Sequence, residues 1–211
     1  MLVVLCFFCA YIGFMWQEIL FILFALVVAF LPSIRLVYGV LWPEKDMGLH
    51  GLGFYSFFQF KKYGAFSLLV ACEMFKPLVV YSIAVILFKD TIWALHVAFL
   101  VVLFQSIKVV KVGHKIRMSF SKNLTPLFAY YILLAPFGAL LMFLFMLGYA
   151  LLFRRVFSTL ISTALIAPVL LVLTVSYDLT YYWGLILPCI SLLAYKQELL
   201  TIYPFKERKN I

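Results

Sequence analysis

From Leu124 to Phe153 the chain runs thirty residues without one charged side chain, and Val156 to Val175 is again uncharged. The run from Ala65 to Phe88 is broken only by Glu73 and Lys76. A helix in water needs a polar face, and these runs have none. Apolar residues make up 67% of the 211, charged residues only 12%, so a single water-facing globule is excluded because it has too few polar side chains to cover itself. Mean hydropathy is +1.14. The chain is therefore expected to be an all-α, polytopic integral membrane helix bundle. At ~20 residues per span, about eight helices is the most it can hold, with no sizeable aqueous domain.

The 17 Lys+Arg against 8 Asp+Glu would point to nucleic acid in a soluble protein. In a membrane protein the excess reports orientation instead, because Lys and Arg are retained on the cytoplasmic side, and no nucleic-acid partner is expected. Cys6, Cys9, Cys72 and Cys189 all lie in apolar runs without metal-ligand spacing, so they read as small lipid- or core-facing residues, and no metal or cofactor is expected. The N-terminus lacks the basic flank of a signal peptide. Its apolar stretch, interrupted mainly at Gln17 and Glu18, runs on to Ile34 and reads as a retained anchor.

Apolar runs between charges give windows at 19–34, 65–88, 92–107, 124–153, 156–175 and 181–195. The fourth is too long for one ordinary span, and Pro136 with Gly138 interrupts it. Charge arbitrates. The basic clusters are Arg35 to Lys62, Lys108 to Lys122, Arg154-Arg155 and Lys196 onward, whereas Lys89-Asp90 and Asp178 are poor in net positive charge. A single span at 124–153 would put Arg154-Arg155 and the tail outside, and a hairpin puts every basic cluster inside. The expectation is thus about seven membrane segments, N-terminus out and C-terminus in, with a short segment at 124–134 and a longer one at 137–153. The short one reaches only ~16 Å and has to be packed among neighbours or be partly re-entrant. Trp16, Trp42, Trp93, Tyr181, Tyr182 and Trp183 fall near the predicted boundaries, where interfacial aromatics belong.

Chemistry can reside in few places. Asp46 to Gly53 is a glycine-containing loop in which Gly51 and Gly53 would let backbone amides approach a phosphate, followed by Lys61 and Lys62; a plain interfacial turn fits the same residues. From Lys108 to Asn123 stand five cations, Lys108, Lys111, Lys115, Arg117 and Lys122, with the hydroxyls of Ser119 and Ser121 and the amide of Asn123, just before an apolar helix. They suit an anionic headgroup or phosphate at that helix N-terminus, or only the orientation bias. The tail from Lys196 reads as a solvated end at the lipid surface. Glu73 and Lys76 share a helical face inside the second span, where charge is expensive, so they form either a polar site or a packing ion pair. Pro77 beside them cannot supply its amide to the helix. His96, alone in an apolar helix, reads as hydrogen-bonded structure. No Ser-His-Asp, Cys-His or His-x4-Asp arrangement is present.

The order of these features resembles the bacterial integral-membrane glycerol-3-phosphate acyltransferases that use acyl-phosphate as donor. The resemblance spans 19–211, with 1–18 as an apolar N-terminal extension, and rests on Asp46 to Gly53, Lys61-Lys62-Tyr63-Gly64, Glu73-x-x-Lys76, Lys122 to Pro136, and Leu147 to Ser158. That family has a Gly-Ser-Gly-Asn loop where this chain has Gly51-Leu52-Gly53-Phe54, and a Gly-Gly-Lys-Gly loop where it has Phe120-Ser121-Lys122-Asn123. The family's C-terminal His-Arg-Glu-Asn element would fall near Lys196 to Leu200, which holds no His or Asn.

The resemblance implies seven membrane helices in the bacterial cytoplasmic membrane, with membrane lipids, acyl-phosphate and glycerol 3-phosphate as partners in phospholipid synthesis. It implies a phosphate held by Lys122, Arg117 and Lys115, with Lys61 or Lys62 and the close approach at Gly51 and Gly53, while the acyl chain lies between helices. The donor is already activated, so positioning and charge stabilisation suffice without an enzyme nucleophile. The altered loop residues make a noncatalytic binding or partner protein on the same fold the second reading. A small transporter built on Glu73 and Lys76 is the third.

Overall fold

The computed structural model describes residues 2–33, 37, 63–112, 115–120, 123–153, 156–175 and 179–194. Seven long helices follow in order among them: α1 (Leu2–Phe30), α2 (Tyr63–Phe88), α3 (Thr91–Ser106), α4 (Thr125–Leu134), α5 (Pro136–Phe153), α6 (Val156–Thr174) and α7 (Leu179–Ala194). Between α3 and α4 lies an antiparallel ribbon of β1 (Ile107–Val112) and β2 (Lys115–Phe120). The expected N-terminal extension is the first part of one uninterrupted helix.

The thirty uncharged residues do divide. Helix α4 ends at Leu134 and α5 begins at Pro136, whose missing amide and ring cannot continue the preceding helix. The chain then folds back, since the rings of Phe128 and Phe143 lie 6.2 Å apart, whereas fifteen residues of straight helix would separate them by ~22 Å. As expected of so short a segment, α4 is enclosed: Tyr130 and Tyr131 are fully buried, with Pro126, Leu127 and Ala129. The ends alternate along the bundle. Phe88 and Trp93 pack ring to ring at 4.4 Å across the α2–α3 turn, and Tyr149 hydrogen-bonds Ser158 at 2.9 Å across the α5–α6 connection. Among the described residues, the ends of α1, α3 and α5 and the starts of α2, α4 and α6 lie at one end of the bundle, called here the basic end after the sequence stretches that flank them.

The all-α expectation holds for the bundle and fails at 107–120. Ile107, Val109, Val110 and Val112 are β-branched, and Lys115-Ile-Arg-Met-Ser-Phe120 alternates polar with apolar at period two, a pattern that suits a ribbon and not a helix. The register pairs Val112 with Lys115, Val110 with Arg117 and Lys108 with Ser119.

The solvent for this fold is read from its surface. Leu152, Ile86, Leu173 and Leu151 are at least 70% exposed, and many other large apolar side chains point outward. Inside are small residues: Ala25, Ala29, Ala84, Ala94, Ala98, Ala129, Ala139, Ala164 and Ala167 are all buried. Apolar outside with small residues inside is the packing of helices in lipid, where close backbone approach and hydrogen bonds replace the hydrophobic drive. Among the described residues two helices are long and apolar enough to cross a bilayer unaided, Gly64–Phe88 with mean hydropathy 1.8 and Pro136–Phe153 with 2.1. The shorter ones depend on their neighbours. Hydroxyls obey the same logic: Ser82, Ser106, Thr163, Thr174 and Ser191 each donate to a carbonyl one turn back in their own helix.

The α2–α3 turn is built from Lys89 in the left-handed region (φ 55°) and Asp90, whose Oδ1 accepts from the amides of Ile92 (2.9 Å) and Trp93 (3.0 Å). That cap satisfies two amides that would otherwise be orphaned at the start of α3.

Candidate functional site

Two features stand at the basic half of the bundle, both bordered by α2. The first is polar. Lys76 Nζ donates to the main-chain carbonyl of Leu31, just past α1, at 2.8 Å, and to Glu73 Oε1 at 3.2 Å. Gln105 Nε2, near the end of α3, donates to Glu73 Oε2 at 3.2 Å and approaches the Glu73 main-chain carbonyl at 3.4 Å. Lys76 is only 8% exposed. The sequence explains why. Pro77 has no amide to give, so the carbonyl four residues earlier, that of Glu73, is released from the helix ladder, and Gln105 supplies the missing donor. Leu31 is followed by Pro32 and ends α1, so its carbonyl also lacks an intrahelical partner; Ser33 N (2.9 Å) and Lys76 fill it.

Glu73 and Lys76 are thereby joined as a pair that ties α1, α2 and α3 at one level. Each oxygen of Glu73 has a donor, which favours the packing reading of this pair over a transport pathway. Sequence reasoning missed Gln105 and the Leu31 carbonyl. Pro77 was the available signal, because a proline inside a helix announces a free carbonyl at i−4.

The same rule operates at α7. Pro188 releases the Gly184 carbonyl, and Tyr131 of α4 donates its hydroxyl there at 3.2 Å. Approach this close needs glycine: a Cβ at 184 would sit 2.9 Å from Leu134 Cδ2 and 3.0 Å from Leu171 Cδ2.

The second feature is an apolar crevice of about 280 Å³ between α2, α4, α5 and α6. Phe66, Val70 and Met74, spaced one turn apart, form its α2 wall; Phe128, Met142 and Leu160 face them from the other three helices. Leu124 and Thr125 line it as well, so it reaches the start of α4. There Asn123, itself buried, accepts the Thr125 amide on Oδ1 at 2.9 Å. The crevice suits a hydrocarbon segment and offers almost nothing to a polar ligand.

Of the residues expected to bind phosphate, Gly51, Gly53, Lys61, Lys62 and Lys122 lie outside the described residues, as do the 46–53 loop and the tail from Lys196. Lys115 and Arg117 fall in β2, paired with Val112 and Val110, and not in a loop at a helix N-terminus. His96 holds the Ile92 carbonyl through Nδ1 at 2.7 Å, as a structural histidine does, with its ring edge-on to Trp183.

No family model matches this sequence, and no curated protein matches it. Among solved structures, the crystal structure of PlsY (YgiH), an integral membrane glycerol 3-phosphate acyltransferase, in its glycerol 3-phosphate form, superposes with a TM-score of 0.66 over 88% of this chain and 92% of that chain, at 16% identity. The fold is therefore PlsY-like, that of an integral membrane protein.

Proposed function

We propose that this chain is a divergent multi-pass membrane acyltransferase that moves an acyl group from acyl-phosphate to glycerol 3-phosphate in phospholipid synthesis. The observation that carries the reading is the apolar crevice reaching the start of α4, directly after Lys122 in sequence, on a fold shared with a glycerol 3-phosphate acyltransferase. An amphiphile with one hydrocarbon chain and an anionic head matches that juxtaposition. The chain would occupy the crevice, with Lys122, Lys115 and Arg117 around the phosphate, Lys61 or Lys62 adding charge, and Gly51 and Gly53 permitting close approach.

In the reaction the acceptor hydroxyl oxygen forms the new ester bond to the acyl carbon. The bond from that carbon to the phosphate oxygen breaks, phosphate leaves with the electron pair, and the hydroxyl proton ends on it. Held cations lower the barrier by stabilising the leaving phosphate. The domain is 19–211 with 1–18 as an extension, and the protein sits in the bacterial cytoplasmic membrane, N-terminus out, with the basic end inside.

One observation favours a noncatalytic partner protein instead. The Asn123 side chain takes the Thr125 amide that a phosphate would otherwise claim at α4. The test is direct: protein purified in lipid, given acyl-phosphate and glycerol 3-phosphate, forms lysophosphatidate and loses it on Lys122→Ala. Turnover no greater than buffer, with failure to rescue loss of an intact acyltransferase, selects the noncatalytic reading.

A further inference from the structure

Pro77 separates two stretches of α2 that pack in different clusters of buried residues. On the C-terminal side, Val80 and Ala84 are fully buried in a core shared with Phe21, Ala25 and Ala29 of α1 and Ala94, Val97 and Val101 of α3. On the N-terminal side, Ala65 and Leu69 form a separate small cluster with Val37. All three α2 residues lining the crevice, Phe66, Val70 and Met74, lie on that lightly packed side. The helix ladder is interrupted where the parts meet, since no amide reaches the Glu73 carbonyl from within α2. At this level the side-chain bonds of Lys76 and Gln105 join the first half of α2 to α1 and α3. Those of Gln105 are long, at 3.2 and 3.4 Å, and its buried Oε1 meets no donor among the described residues. A buried acceptor left unpaired works against the closed arrangement.

We infer that α2 is a hinged wall of the crevice, with its hinge at Pro77 and its latch at Gln105 and Lys76. With the latch made, Phe66, Val70 and Met74 stand against α4, α5 and α6 and the crevice is narrow. With it released, the first half of α2 swings from Pro77 and the crevice opens sideways to a hydrocarbon chain from the bilayer. Gln105 and Lys76 are thus positioning residues, acting on the ligand through α2. That the wall serves an acyl donor rests on the acyltransferase reading; that it moves does not.

The experiment separates the two. In a cysteine-free background reconstituted in lipid, spin labels at Ser67→Cys on the first half of α2 and Leu165→Cys on α6 report the wall by pulsed electron–electron resonance. A control pair at Ile86→Cys and Leu165→Cys reports the second half. Gln105→Leu is expected to lengthen and broaden the 67–165 distance and leave the 86–165 distance unchanged. Adding Pro77→Ala, which restores an amide to the Glu73 carbonyl, is expected to return a single short distance even with Gln105→Leu. An unchanged 67–165 distribution in Gln105→Leu, or a broad one that Pro77→Ala does not narrow, overturns the hinge. Where turnover is measurable, Gln105→Leu should change KM for acyl-phosphate severalfold more than kcat. Absence of turnover with the distance change present leaves the hinge standing and removes only the acyltransferase reading.

Discussion

The hydroxyl of Tyr131 on α4 donates to the main-chain carbonyl of Gly184 on α7, four residues before Pro188, at 3.2 Å. A proline in one helix has been answered by a side chain from another. In water a released carbonyl finds a solvent molecule, but in lipid it must find a donor in the protein. Gln105 answers Pro77 in the same way.

Removing that hydroxyl has a defined consequence. Tyr131→Phe leaves the Gly184 carbonyl short of a donor in a fully buried site and should cost ~1–3 kcal/mol, read as a lower melting temperature in detergent. Pro188→Ala supplies an amide to the same carbonyl. The Tyr131→Phe penalty is therefore expected to shrink in the Pro188→Ala background, and equal penalties in both would contradict the pairing.

The Glu73–Lys76 pair should behave as a structural tie. Lys76→Met leaves a largely buried carboxylate without its cation and takes one of the two donors from the Leu31 carbonyl, an expected loss of ~3–5 kcal/mol. The double change Glu73→Gln with Lys76→Met should cost less than Lys76→Met alone, because no unpaired charge remains. Liposomes carrying the wild-type protein should stay tight to ions; a steady ion flux abolished by Glu73→Gln would restore the transport reading.

Glycines 138 and 184 are expected to resist enlargement. A Cβ at 138 would lie 2.7 Å from Thr174 Oγ1, and one at 184 would press on Leu134 and Leu171. Gly138→Ala and Gly184→Ala should each destabilise by ~1–3 kcal/mol through overpacking. Gly148→Ala is the control, since nothing lies within 4 Å of its Cβ position, and its melting temperature should hold or rise slightly.

Filling the crevice should abolish whatever uses it. On the acyltransferase reading, Leu160→Trp, which places a large ring in the crevice, should reduce lysophosphatidate formation at least tenfold while the protein still folds by its melting curve. Equal turnover with the crevice filled would show that the acyl chain lies elsewhere.

Sidedness is open to a chemical test. In intact cells a membrane-impermeant maleimide is expected to label Lys89→Cys and to spare Arg154→Cys until the membrane is permeabilised. The reverse pattern would invert the proposed orientation.

Much of the bundle was legible in the residues because lipid leaves the chain little choice. Uncharged runs become helices, Pro136 divides the longest, and the position of Arg154-Arg155 relative to Lys196 selects a hairpin over one long span. The ribbon at 107–120 departs from the all-helical expectation: its four cations speak only of charge, whereas the β-branched run and the period-two alternation govern the backbone. The polar contacts were less legible still. Glu73 and Lys76 were visible as a pair from helical spacing, yet nothing in local sequence names Gln105 or Tyr131 as the donor to a distant carbonyl.

The sequence by itself determined the medium, the number of helices and the break at Pro136, since these follow from transfer energies and backbone chemistry residue by residue. Tertiary structure alone decided which side chain meets which released carbonyl and where a crevice opens. Both depend on residues far apart in the chain arriving at one place, and the proline marks only the need, not the partner that fills it.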